Sequence, residues 1–142
     1  AINRTLGAGS GLVAIVLGMI ITVAVQSSSI TTSVLVPLAA AGVLSLENVY
    51  PVTLGANVGT TVTALLASLA TGSPAAVTVA LVHTLFNLTG IALFYPVRSL
   101  RALPIRLATG LARIGAERRT WAVTYVLVMF LVIPLLGVMI LR

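Results

Sequence analysis

The stretch Gln26-Ser27-Ser28-Ser29-Ile30-Thr31-Thr32-Ser33 decides how this chain is read. Seven of its eight residues are polar, yet it lies in an otherwise apolar, charge-free run from Thr5 to Leu46. Hydroxyls and amides taken out of water cost free energy unless they find partners, so a cluster of this kind marks a candidate site. A second polar interruption, Gly55-Ala56-Asn57-Val58-Gly59-Thr60-Thr61, stands in the next apolar segment. The two interruptions are read together as one ion and anion site between apolar segments.

Composition sets the surroundings. Of the 142 residues, 59% are hydrophobic and 7% charged, whereas a soluble domain is usually about a quarter charged. The charges leave three free runs, 5–46, 48–97 and 120–141, each longer than the ~18 apolar residues a membrane-crossing helix needs. The chain is therefore an all-α membrane protein that crosses the bilayer several times, placed in the cell membrane. Its net charge of +6 comes from eight arginines against two glutamates, and six of the arginines fall between 98 and 119. Flanked by apolar runs, these read as a cytoplasmic segment rather than a nucleic-acid surface. The absence of cysteine excludes disulfides and thiolate chemistry. One histidine, two glutamates and no aspartate cannot supply a catalytic triad, a carboxylate pair or a multi-histidine metal site, so no enzyme is expected. No basic region precedes the first apolar run, and no signal peptide is expected.

Residues 8–45 are too long for one straight crossing: as a single helix they would extend ~57 Å, against a hydrocarbon core of ~30 Å. With the polar cluster near its middle, the run is read as a re-entrant helical hairpin: Gly11–Val25 descends, Gln26–Ser29 turns, and Ile30–Val43 climbs back, with Pro37 expected to kink the second arm. Two full crossings joined at the serines are the alternative. Pro51 suits the first turn of the next helix. Gly55, Asn57 and Gly59 predict that the crossing at 52–71 is a broken transmembrane helix resuming near Thr60. Gly72-Ser73-Pro74 carries turn chemistry. Two further transmembrane helices follow at 75–97 and 120–141, the latter opening on Trp121 and Tyr125 as interface anchors. Between them, 98–119 interleaves arginines with Leu100, Leu103, Leu107, Leu111 and Ile114, as either a basic surface helix or a solvated loop.

Charge tests this topology. If the hairpin enters and leaves on one side, Arg4 and the whole 98–119 cluster share that side and only Arg142 is opposite. The positive-inside rule makes the shared side cytoplasmic. Two full crossings would put Arg4 opposite the cluster.

Helices restarting near Ser29 and Thr60 would both aim N–H groups and positive dipole ends at one region, an anion site without a cationic side chain. The amides of Gln26 and Asn57 and the hydroxyls of Ser27, Ser28, Ser29, Thr60 and Thr61 add neutral donors, while carbonyl and hydroxyl oxygens suit a hard cation such as sodium. Gly55–Thr61 is not a nucleotide loop, because the chain has no lysine. The competing reading is a structural membrane module whose small and hydroxyl residues only pack helices. His83 and Asn87, four apart, share a helix face suited to interhelical hydrogen bonds.

On these residues the chain resembles the sodium/phosphate cotransporter family. Gln26-Ser27-Ser28-Ser29 is similar to the motif that family carries in each of two inverted repeats, Gly55–Thr61 to the glycine-asparagine-threonine motif after it, and His83 to Asn87, with Phe86, to a third block. The resemblance implies sodium-coupled uptake of inorganic phosphate by alternating access. It would put Gln26, Ser27, Ser28 and Ser29 at the phosphate, and Ser29, Thr31, Thr32, Asn57 and Thr60 among the sodium ligands, with Na+ as coupling ion. Only one such motif is present, so the chain looks like one half of an inverted-repeat transporter, 1–142 being a single repeat. Its expected partners are phosphate, sodium, the lipid bilayer and a second repeat or another subunit, with no nucleic acid. The same family could serve another oxyanion, or export.

Overall fold

A computed structural model describes residues 11–141. Residues 8–10 of the expected hairpin, the side markers Arg4 and Arg142, and the expectation about a leader lie outside the described residues. The chain divides into two compact units, Ala1–Arg101 and Ala102–Arg142. Only helices occur among the described residues: α1 Gly11–Val25, α2 Ser28–Ala40, α3 Leu46–Ala70, α4 Pro74–Phe94, α5 Arg98–Glu117, α6 Arg119–Leu127, a π-helical turn Val128–Val132, and α7 Ile133–Ile140. Leu46–Ala70, Pro74–Phe94 and the stretch Thr120–Ile140 are long and apolar enough to cross a membrane. The chain is thus an all-α membrane protein.

In the first unit, α1 and α2 hold 15 and 13 residues. At ~1.5 Å per residue each falls short of a ~30 Å hydrocarbon core. They are joined at Gln26-Ser27, where the sequence predicts the turn. Gln26 takes a left-handed conformation, φ 58°, which reverses the chain with no glycine. Ser27 is extended and caps α2, its Oγ accepting from Ile30 N at 3.3 Å, so the second helix begins at Ser28 because its first turn is capped from within the motif. At the far end, the α2 terminus is closed by Ala41 N donating to Pro37 O at 2.9 Å and Gly42 N to Ala39 O at 3.0 Å, with Gly42 at φ 69°.

The broken helix expected at 52–71 is corrected: α3 runs uninterrupted through Gly55, Asn57 and Gly59. The glycines serve close approach instead. α1 packs along α3 more extensively than any other pair of elements, and a Cβ on Gly18 would meet Val52 O, while one on Gly55 would meet Ile15 O. A Cβ on Gly59 would lie 2.7 Å from Thr22 Cβ and 2.8 Å from Met19 O. Ala14, Gly18 and Thr22 on α1, facing Gly55 and Gly59 on α3, form the small-residue seam by which helices approach in lipid. The neighbouring core cluster is Ala14, Leu35, Leu44 and Val52.

α4 starts as the sequence predicts: Gly72 is left-handed at φ 63°, Ser73 Oγ accepts from Ala76 N at 3.4 Å, and Pro74 opens the helix. Large apolar side chains of α1 and α4, such as Leu12 and Phe86, point outward, which suits a chain solvated by lipid rather than water. α5 begins in this unit, where the Arg101 guanidinium lies 5.2 Å from the Tyr95 ring centroid.

The second unit contains the rest of α5 and the final crossing. Residues 98–117 are helical, which decides between helix and loop for the basic segment. The last crossing is interrupted by one π-helical turn, Ile133 N donating to Val128 O. Pro134 lacks an N–H and its ring crowds the carbonyl four residues back, and a widened turn just before it absorbs that conflict.

Candidate functional site

The serine turn faces α3. Gln26, at the turn, and Thr60 and Thr63, one helical turn apart on α3, line a groove of about 550 Å³ with Val23, Ala64 and Ala67. Gln26 is exposed and Thr60 half-buried. The positive end of α2 opens at the same turn, where the N–H groups of Ser28 and Ser29 precede any carbonyl of their own helix that could accept them. Ser27 O accepts from both Thr31 N and Thr31 Oγ1, each at 3.2 Å.

The two threonine hydroxyls of the motif are committed to local bonds. Thr32 Oγ1 donates to Ser28 O at 2.9 Å and lies 3.2 Å from Ser29 O. Thr31 is 4% exposed and its Oγ1 lies 2.9 Å from Thr22 Oγ1, a buried contact that fastens α1 to α2 beside the turn. Thr22 is the residue that the polar pattern hides. It sits four positions before Gln26 and continues the Ala14, Gly18 spacing, a signal that identifies a packing seam rather than a site.

Along α3 the candidates diverge. Thr60 donates to Ala56 O at 3.1 Å and Thr63 to Thr60 O at 2.8 Å, while Thr61, with no exposed surface, donates to Val58 O at 2.8 Å. These back-bonds explain how α3 carries three threonines at 60–63 without breaking: each hydroxyl is satisfied by its own helix. Asn57 faces another way, into a small cleft of about 100 Å³ with Leu54, Phe86, Asn87, Gly90 and Ile91. There Asn87 Nδ2 donates to Asn57 O at 3.4 Å, an interhelical bond of the kind expected for Asn87. His83, which shares that face in the sequence, instead borders a third groove between α3 and α4, with Ser68 and Ala80. Gln26 and Thr60 therefore share one surrounding, whereas Thr31, Asn57 and Thr61 each have a different one. Thr63 was absent from the sequence-based set; its three-residue spacing from Thr60 was the available signal.

With a continuous α3, the second helix start near Thr60 does not exist, and no backbone N–H groups are released there. Among the described residues the only helix start at the groove is that of α2; from α3 the hydroxyl residues Thr60 and Thr63 line it, while the Asn57 amide lies in the separate cleft.

Comparison with known proteins identifies the family of the sequence. The pattern of the Na+/Pi-cotransporter family matches residues 4–116. The sodium-dependent phosphate transport protein 2B of Bos taurus is 50% identical over 129 residues, covering 89% of this chain and 18% of the relative. The human protein of the same name is 48% identical over 129 residues, 89% of this chain and 19% of its own length. The sheep sodium-dependent phosphate transport protein 2A is 48% identical over 128 residues, 88% of this chain and 20% of the relative. The chain thus spans about a fifth of the length of the curated relatives it matches. No solved structure matches it significantly.

Proposed function

The chain belongs to the Na+/Pi-cotransporter family, a family of transporters and not of enzymes, and we propose that it supplies one repeat of a secondary transporter that moves inorganic phosphate with sodium by alternating access. The observation that carries this reading is that Gln26 of the serine turn and Thr60 of α3 line one groove. A capped helix start, an exposed amide and a groove-lining hydroxyl together suit an oxyanion. The relatives' names as sodium-dependent phosphate transport proteins support phosphate and sodium as the cargo. Their fivefold greater length leaves room for a second repeat.

Gln26, Ser27, Ser28 and Ser29 hold the phosphate at the start of α2, with Thr60 across the groove. Asn57 and Thr61, which stand outside this groove, join the phosphate set only when the helices rearrange, and Ser29, Thr31, Thr32, Asn57 and Thr60 offer oxygens to sodium. Thr60 and Thr61 already donate to Ala56 O and Val58 O, so each must exchange that bond to donate to phosphate, which ties their part to a conformational step. No fixed cation stands among these residues, so a mobile sodium supplies positive charge to the phosphate and then leaves with it.

The short α1 and α2, folded back on each other, support a re-entrant hairpin within a repeat comprising 8–45, 52–71, 75–97, 98–119 and 120–141. The arginine excess of 98–119 supports a cytoplasmic side for that segment. The back-bonded threonines of α3 favour one rival, a module in which these residues only pack helices. Ser28→Ala and Asn57→Ala separate the two. Transport is lost with assembly intact if the residues serve the site, whereas loss of folding in both variants would contradict it.

A further inference from the structure

Unlike the membrane-crossing helices, α5 segregates its side chains. Leu103, Leu107, Leu111 and Ile114 recur at spacings of three and four, the one-faced stripe of an amphipathic helix. They are 48%, 64%, 38% and 52% exposed, and no residue of α5 is buried. At ~100° per residue, Arg106 and Arg113 fall roughly 100–120° around the helix from the middle of that stripe. They are exposed as well. Arginines standing at that angle beside an apolar stripe reach headgroup level when the stripe is sunk in acyl chains.

Connectivity says what covers the stripe. α5 begins four residues after one crossing helix ends at Phe94, and ends three residues before the next begins at Thr120. α5 itself is not among the helices long and apolar enough to cross, and each of its ends adjoins one that is; a 20-residue helix of ~30 Å suits a segment lying along the membrane surface. Four arginines stand in α5 against one glutamate, Glu117.

We propose that α5 lies in the membrane interface as a docking element for anionic phospholipid: Leu103, Leu107, Leu111 and Ile114 enter the acyl region, and Arg106 and Arg113 bind lipid phosphates of the same leaflet. The guanidinium fork suits phosphate oxygens and stays charged at any physiological pH. This interaction stands independently of what the serine turn carries.

The chain has no cysteine, so a single spin label at Leu107→Cys or Thr109→Cys reports on its own position. The full chain is reconstituted in phosphatidylcholine vesicles, with and without phosphatidylglycerol, and collisions with oxygen and with an aqueous nickel chelate are measured. With phosphatidylglycerol present, the 107 label is expected to be reached by oxygen and shielded from nickel, and the 109 label to be reached by nickel. Adding Arg106→Gln and Arg113→Gln should remove the shielding gained from phosphatidylglycerol while circular dichroism reports unchanged helix. A 107 label open to nickel in both vesicles would overturn the proposal. So would one shielded from both reagents, as under a protein partner, or shielding indifferent to the arginines.

Discussion

Thr22 Oγ1 lies 2.9 Å from Thr31 Oγ1, although they stand nine positions apart in the chain. Thr22 is wholly buried and Thr31 nearly so. Together with the capped turn between them, this contact makes α1 and α2 a closed hairpin rather than two independent helices. Thr31 also donates to Ser27 O, so the contact reaches the serine motif directly.

Replacing Thr22 by valine, Thr31 by valine, and both together forms a double-mutant cycle. Each single change should destabilise the folded chain by about 1 kcal/mol, and the pair should show a coupling of similar size, because a buried hydroxyl left alone costs as much as the bond it loses. Denaturation in detergent measures this, and strict additivity would mean that the two hydroxyls do not interact.

Gly18→Ala and Gly55→Ala should each destabilise by about 1–3 kcal/mol or more, since the added methyl meets backbone carbonyls at Val52 and Ile15 that have no rotamer to yield. Gly90→Ala in α4 meets nothing within 4 Å and should stabilise by about 0.5–1 kcal/mol through helix propensity. Thermal unfolding of the three variants gives the comparison.

These glycines also mark where the sequence ceased to be readable. A glycine in an apolar segment either breaks a helix or admits a neighbour, and only the position of α1 decides which. The sequence favours a break because threonines follow; the structure answers with back-bonds to Ala56, Val58 and Thr60 that keep α3 intact. By contrast, the turns at Gln26-Ser27 and Gly72-Ser73-Pro74 were legible because capping and left-handed geometry are local. For the same reason Gln26 could be placed at the site but its groove partner Thr63 could not: which face of α3 meets the turn depends on the packing of Gly18 against Val52. The π-helical turn before Pro134 was not foreseen in the sequence, because how a crossing helix accommodates a proline depends on the backbone around it.

Gln26→Gly tests stability and function in opposite directions. Relief of the left-handed conformation should leave the fold unchanged or firmer by roughly 1 kcal/mol, whereas loss of the amide should abolish most phosphate uptake. Unfolding and uptake assays on the same preparation measure both, and uptake retained at the parent level would remove Gln26 from the site.

Thr63→Ala should lower phosphate uptake by about tenfold, the equivalent of one lost hydrogen bond of ~1.4 kcal/mol. Thr78→Ala, whose hydroxyl donates to Pro74 O on α4 away from the groove, should leave uptake unchanged. Initial rates at fixed sodium compare them, and equal rates in the two variants would take Thr63 out of the groove's function.

The most direct measurement is uptake of labelled phosphate into liposomes that contain the intact parent protein, with sodium outside and then with an inert cation in its place. The account predicts accumulation with sodium and uptake near that of empty liposomes without it. Equal uptake under both conditions, or none from protein that is demonstrably folded and inserted, would contradict it.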